Sequence, residues 1–478
     1  MRPSAMQLAL LCLGASALVP PTQRRPPTAL RAKAEAFVTE NAPDLLKEIV
    51  MKRTSLGEDA RRNNARTGGS VKLEHVTLDK IDGNGLAFTC SVKRRAGGFG
   101  GGFSTEDETT TANWGDLLEC GWEADQCEVD PDGATAQRRL MQVACSLGLN
   151  GDAARLLSTE FPGGLGDAGA LPDNLWLNNI PASKEARSHL GDAVCDAVVQ
   201  AILEDAPTLQ VTVKPPERGP ALDPEMDTYR IGTLLELARH LAFRVIEGTG
   251  RKVRICVQAP MGEGIFSGLP LSLNGVRKLL EMMDWGSQGA ELQQKKFIRF
   301  GAVGSEWVDA DDEVFVVLAP QSIVGNSIVP LLQEMVEAAK GRPVILINGR
   351  MGDVQSSAGV MSYRGRADRL DFVDEFRECF HFSLVVPPGR TFFPILGAVC
   401  RPFLDCPYAL YRRLELCTEE NRIFANSVER AAAAKSGDLV EKYEPVGCYG
   451  EMPTAKEQKL AYREAAKADL AAGRVVRA

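Results

Sequence analysis

Glu313-Val-Phe-Val-Val-Leu-Ala-Pro-Gln321 decides the fold. Val314 to Leu318 are all apolar, and four of the five are β-branched or aromatic. Such a run does not alternate as a half-solvated strand does, so it reads as a strand buried on both faces, as inside a parallel sheet. Ala319-Pro320 then turns the chain sharply off the strand. Ile328 to Ala339 carries apolar residues at helical spacing and is ended by Gly341 and Pro343. Val344 to Ile347 follows as a second strand of the same buried kind.

The same alternation continues in both directions. On the N-terminal side, Ser183 caps a helix in which Leu190, Val194, Ala197, Val198, Ala201 and Ile202 recur at helical spacing. Thr208 to Val213 reads as a strand, Pro224 to Ile246 as a long helix, Lys252 to Val257 as a strand, Leu271 to Met283 as a helix and Phe297 to Phe300 as a short strand. On the C-terminal side come a helix, Ala367 to Glu378, and a strand, Phe382 to Val386. Pro394 to Arg401 and Tyr408 to Leu416 alternate around a Pro/Asp turn, as an antiparallel hairpin does. Helices over Glu419 to Ala434 and Thr454 to Ala472 close the chain, and the thin apolar stripe of the last predicts loose docking. The fold class is therefore α/β: a mainly parallel, Rossmann-like sheet with helices on both faces and an antiparallel edge hairpin. This domain spans 181–434, and a helical tail spans 435–478.

A smaller α+β region, 35–175, precedes it. It has a helix over Ala42 to Lys52 and a polar Arg/Asn segment. A hairpin follows, formed by Val71 to Leu78 and Leu86 to Val92 about Asp82-Gly83-Asn84-Gly85. The glycine-rich run Gly97 to Phe103 and the acidic, threonine-rich Ser104 to Thr111 read by composition as a flexible linker. A helix over Ala134 to Leu147 and a Gly/Pro-rich joint, Pro162 to Pro172, finish the region. Glu128-Val-Asp130-Pro-Asp132-Gly133 imitates a calcium loop, but its twelfth position is Arg139 where a bidentate Glu belongs, so it reads as a helix-capping turn.

Residues 1–34 read as a two-part address. The apolar run Met6 to Leu13 follows Arg2 and leads to Ala15-Ser16-Ala17, a small-residue cleavage site. It is too short for a membrane span, which needs roughly 20 apolar residues. Leu18 to Ala34 then holds Arg24, Arg25, Arg31 and Lys33 and no acid, as transit peptides do. The expected location is a plastid, in the stroma or on the stromal face of the thylakoid; the competing reading of the leader is simple secretion. The leader carries five of the 55 basic residues and none of the 63 acids, so 50 basic against 63 acidic residues remain, a net of −13. That balance argues against a nucleic-acid partner. No later stretch is long and apolar enough to span a membrane.

No cofactor or metal motif is present. The chain lacks a phosphate-binding Gly-x-x-x-x-Gly-Lys loop, a Gly-x-Gly-x-x-Gly after a strand, a Gly-x-Ser-x-Gly elbow and a His-Glu-x-x-His. Twelve cysteines are scattered without a Cys-x-x-Cys pair, and Cys400/Cys406 is the one couple that a hairpin would bring together. The four histidines, His75, His189, His240 and His381, stand without a carboxylate or cysteine at a telling spacing. Asp309-Ala-Asp311-Asp312-Glu313 reads as a solvated turn. No catalytic residue and no metal ligand is therefore assigned, and no cofactor is expected.

Ligands of such sheets sit at the carboxyl ends of the strands. There stand Gln258-Ala259-Pro260, Ala319-Pro320-Gln321, Asn348-Gly349-Arg350 and Pro388-Gly389-Arg390. Gln321, Asn348, Arg350 and Arg390 are the candidate ligand-binding residues, suited to an anion. The competing reading is that these amides satisfy loose backbone groups. The block 180–417 also resembles a plastid and cyanobacterial domain family of unknown function. That family includes the chloroplast "low photosystem II accumulation" proteins and the C-terminal extension of some chloroplast adenylate kinases. The resemblance rests on the helix after Pro181, the strands ending in Ala319-Pro320-Gln321 and Asn348-Gly349-Arg350, and the Gly397 to Arg401 strand followed by one at Tyr408. The family tends to have Asn-Pro-Arg at 348–350 and a Phe-Pro-Asp-like turn at 258–260, where this chain departs from it. The resemblance implies plastid residence, peripheral thylakoid association and photosystem II subunits or assembly factors as partners, and it carries over no catalytic residue. The expected function is non-enzymatic, an auxiliary role in photosystem II assembly or maintenance. The alternative is a nucleotide- or phosphometabolite-binding enzyme or sensor using the strand ends.

Overall fold

A computed structural model describes residues 28–474, apart from 68–70, 96–102, 119–132, 159, 167–169, 180–181, 215–223, 260–275, 323–326, 353–354, 357–358, 361–365, 389–393, 419–421 and 425–426. Most of the leader, the calcium-like loop through Asp132, and Arg390 lie outside the described residues.

The N-terminal region opens with three helices, Thr28–Asn41, Pro43–Arg53 and Ser55–Thr67. The first of them already packs where the leader was expected to end: Ala34 is buried, and the Glu35 carboxylate accepts from Ile81 N at 2.8 Å. The Arg/Asn segment forms the third helix. Thr54 Oγ1 accepts from Gly57 N at its start, and near its end the Asn64 amide grips both N and O of Val71 at 2.8 Å. An antiparallel meander follows, β1 (Val71–Ile81), β2 (Gly85–Arg95) and β3 (Phe103–Asn113), in that order. The expected turn is there, with Asp82 Oδ1 accepting from Asn84 N and Gly85 N. β3 is the stretch read as a linker. Its threonines are good strand formers, and its acids find partners on β2, where Arg94 pairs with Glu108 and Ser91 donates to Asp107.

The large sheet contains β4 (Thr208–Lys214), β5 (Val253–Val257), β6 (Ile298–Ala302), β7 (Val314–Leu318) and β8 (Val344–Ile347). After a separate small ribbon, β9 (Gln355–Ser356) with β10 (Gly359–Val360), it continues with β11 (Arg377–Val385), β12 (Gly397–Arg401), β13 (Tyr408–Cys417), β14 (Arg422–Ile423) and β15 (Leu439–Tyr449). The order is β14-β13-β12-β11-β4-β8-β7-β5-β6, with β15 paired to β13. From β11 to β6 all neighbours are parallel, and from β11 outward through β12 and β13 they are antiparallel. This is the α/β architecture expected. Ser183 caps the helix Lys184–Leu203 as read, its Oγ accepting from Ala186 N. Three expectations shift. The helix expected over Glu419 to Ala434 begins only at Ser427, because Arg422–Ile423 pair with β13 as β14. The helix before β11 stops at Asp374, because the strand already starts at Arg377, and the tail contributes a strand, β15, before its helix.

Helices Lys184–Leu203, Pro224–Thr249 and Val276–Met282 cover one face. There Leu209, Val211, Ile255, Val316, Ile345, Phe380 and Phe382 belong to one core that runs on into the N-terminal region. On the other face the apolar covering is in two pieces. Phe315, Val317, Val344 and Leu346 pack under helices Val329–Ala339 and Arg366–Asp374, while Val385, Val399 and Leu410 pack under Ala455–Ala471. That last helix docks firmly, against expectation. Its thin apolar stripe is supplemented by polar anchors: the Tyr462 hydroxyl donates to Tyr411 O at 3.0 Å, and Arg412 pairs with Asp469, which is 4 % exposed. The N-terminal region is fixed to the sheet at Glu441 on β15, whose backbone exchanges bonds with Asn174 (2.8 and 3.0 Å) and whose carboxylate accepts from Trp176 N and Arg413.

Candidate functional site

In a doubly wound sheet a crevice opens where neighbouring strands send their following helices to opposite faces. That happens twice here, between β4 and β8 and between β5 and β7. Both mouths are bridged by a side-chain amide. Asn348, just past β8, accepts from Val213 N at 2.7 Å and donates to Val213 O at 3.0 Å, extending the β4/β8 ladder by one rung. Gln258, just past β5 and 2 % exposed, accepts from Gln321 N at 2.8 Å and donates to Gln321 O at 2.9 Å. Ala319 (φ 43°) and Asn348 (φ 54°) both take the left-handed conformation, which turns the two strand ends toward each other. Gln321 and Arg350 then meet in a parallel bridge, with Arg350 N donating to Pro320 O at 2.7 Å. Three of the four expected ligand residues are thus gathered: Gln321 and Arg350 by their backbones, and Asn348 beside them with its amide engaged by Val213. The Arg350 side chain is exposed.

The gap between the two apolar pieces of the sheet face holds a second, unexpected cluster. β4 reads Thr-Leu-Gln-Val-Thr-Val-Lys, so Gln210, Thr212 and Lys214 point to this face while Leu209, Val211 and Val213 point to the continuous core. On β11 a bulge at Cys379 shifts the register, Glu378 pairing with Gln210 but Phe380 with Val211. The bulge puts Glu378, His381 and Ser383 in one line on the same face. Glu378 Oε1 lies 3.1 Å from His381 Nδ1, and His381 Nε2 lies 2.8 Å from Ser383 Oγ. Thr212 donates to Glu378 Oε1 and Tyr408 to Oε2, each at 2.5 Å. Arg401, whose guanidinium lies over the Tyr408 ring, donates to Cys406 O and the Tyr408 hydroxyl. His381 therefore does have a carboxylate partner, contrary to the reading of the sequence: a three-residue spacing along a strand is a helical signature, and the bulge alone makes it work here.

The electrostatics follow from these partners. Burial opposes ionisation of Glu378, but the hydrogen bonds and charge of His381, with those of Thr212 and Tyr408, outweigh it and hold the carboxyl below the usual range. Burial, then the bond to Glu378, pushes the Tyr408 phenol up to about 12. With Glu378 ionised, Nδ1 of a neutral His381 must be the donor, which leaves Nε2 as acceptor for the Ser383 hydroxyl.

Residues 186–430, just over half of the chain, match the model of a family described as a domain of unknown function, DUF1995. The chain belongs to the DUF1995 family. The DUF1995 segment holds both amide bridges and every residue of the polar line, whereas β15 and the last helix lie beyond it.

Within the DUF1995 segment the other sequence candidates resolve as follows. The acidic turn at 309–313 is not simply solvated. Arg254 donates to Asp312 at 2.5 Å and also pairs with Asp309, Arg299 reaches Asp309, Asp311 and Asp312, and Asp312 is 1 % exposed. Cys400 and Cys406 are free thiols that burial pushes up to about 12. His240 is half-buried against Asp192 at 3.0 Å. Among the described residues no group of His, Cys, Asp and Glu is placed to hold a metal ion, and no helix is long and apolar enough to cross a membrane.

Proposed function

We propose that this protein is a plastid auxiliary factor that acts by binding protein partners in photosystem II assembly or maintenance. The observation that carries the reading is the pair of amide bridges. Both crevices in which a Rossmann-like sheet takes a nucleotide are spanned by side chains bonded to backbone, so the α/β domain serves as a scaffold. The two-part leader read in the sequence agrees with it. The acidic mature chain favours a basic or neutral protein surface over nucleic acid. Purification of the tagged protein from gently solubilised plastid membranes tests it. Enrichment of photosystem II core or assembly subunits over an unrelated plastid bait is expected. A solitary protein confined to the soluble fraction refutes it.

The second reading, an anion-binding enzyme or sensor at the strand ends, is favoured by the exposed Arg350 side chain beside Gln321. It requires a metabolite that raises the melting temperature of the wild-type protein but not of Arg350→Ala.

A further inference from the structure

We infer that Ser383 is the nucleophile of a small hydrolytic centre, with His381 as its general base and Glu378 as the positioning carboxylate, acting on carboxylic esters. This goes beyond partner binding and does not depend on it.

The three groups satisfy the order that nucleophilic catalysis needs: nucleophile to base at 2.8 Å, and base to an orienting carboxylate at 3.1 Å. The carboxylate is itself locked. Thr212 and Tyr408 occupy one oxygen each, so Glu378 has a fixed direction in which to accept from Nδ1. His381 is 7 % exposed, with the Tyr408 ring edge-on at 5.5 Å between centroids and its Nε2 against the Ser383 hydroxyl. Ser383 is half-buried and stands near the carboxyl end of β11, the end where sheets of this kind present reactive groups. Lys214, the last residue of β4, is its register partner and is exposed on the same face. It is the cationic residue in register with Ser383, beside which negative charge would develop on the ester carbonyl oxygen.

The step balances with water as the co-reactant. Ser383 Oγ bonds to the ester carbonyl carbon while its proton passes to His381 Nε2, and the imidazolium is stabilised by Glu378. The carbon–oxygen bond to the alcohol breaks, and the alcohol leaves with the proton from Nε2. Water, deprotonated by the same nitrogen, then attacks the acyl-serine and releases the acid, returning the proton to Ser383.

The full chain is treated with a fluorophosphonate and mapped by peptide mass spectrometry, and p-nitrophenyl acetate turnover is measured alongside. An adduct on Ser383 is expected, with turnover reduced at least about 100-fold in Ser383→Ala. Glu378→Gln should lower kcat with KM unchanged and move the acidic limb of the pH–rate profile to lower pH, which loss of a merely structural bond would not do. Absence of an adduct at Ser383 in the folded wild-type protein overturns the inference. So does undiminished turnover in Ser383→Ala.

Discussion

The amide bridges and the polar line on β4 and β11 are two answers to one problem, polar side chains inside a largely apolar sheet. At the strand ends, Asn348 and Gln258 spend both of their polar atoms on main chain, and the groups so bonded are fixed by the ladder itself. On β11, Glu378, His381 and Ser383 spend theirs on one another and on Thr212 and Tyr408. The first arrangement has no proton that can move usefully. The second is a chain of titratable groups with an end. Position at the mouth of a crevice therefore says less about function than the identity of the partner does.

The contrast can be broken most directly at Asn348. Asn348→Leu strands the N–H and C=O of Val213 and places a branched side chain at a left-handed φ, so a loss of about 3 kcal/mol is expected in chemical denaturation. Asn348→Gly should recover about 1 kcal/mol of that by relieving the backbone alone; identical losses would show that the left-handed turn costs nothing. Glu378→Gln is next, at about 2 kcal/mol, since it converts three charge-assisted bonds into neutral ones. The same carboxylate makes the β11 line acid-sensitive where the amide bridges are not. Its folded pKa is depressed below the ordinary glutamate value of 4.5, so its contribution is fully present above about pH 4.5 and is lost as the pH falls through the lower folded value. Hydrogen exchange at β11 amides should accelerate in that window before exchange at β8 does. Ala319→Gly, at the left-handed end of β7, should stabilise by about 0.5 kcal/mol. Arg350→Ala, an exposed side chain, should leave the melting temperature within error.

The alternation of strands and helices from 183 to 347 was legible because β7 and β8 are apolar throughout, β5 and β6 are short and mostly apolar, and the helices keep apolar faces. What escaped the sequence was decided by neighbours. The β3 stretch looks like a linker because its acids and threonines carry no apolar pattern; only the adjacent β2, with Arg94 and Ser91, makes it a strand. β15 is interrupted by Pro445 and Gly447 and gains its place from β13. Of the candidate site, the strand-end positions were found, since turn chemistry marks them, but the role of the Asn348 amide depends on Val213, 135 residues away. The Glu378-His381-Ser383 line was missed because period-two alternation puts 378 and 381 on opposite faces. The signal that was available was the alternation of β4 itself, Gln210, Thr212 and Lys214 being out of place in a strand buried on both sides.

β15 also bears on how the protein is made. It supplies residues 439–449 to the flank of β13, and its Glu441 is the anchor of Asn174 and Trp176. A chain emerging from the ribosome therefore exposes an unpaired β13 edge, and an N-terminal region without its seat, until residues 439–449 have been made. The segment matched to DUF1995 ends at residue 430, so it is shorter than the unit that folds. Truncation at that boundary would yield an aggregation-prone sheet, and a stalled translation product of this protein would be an early client for chaperones.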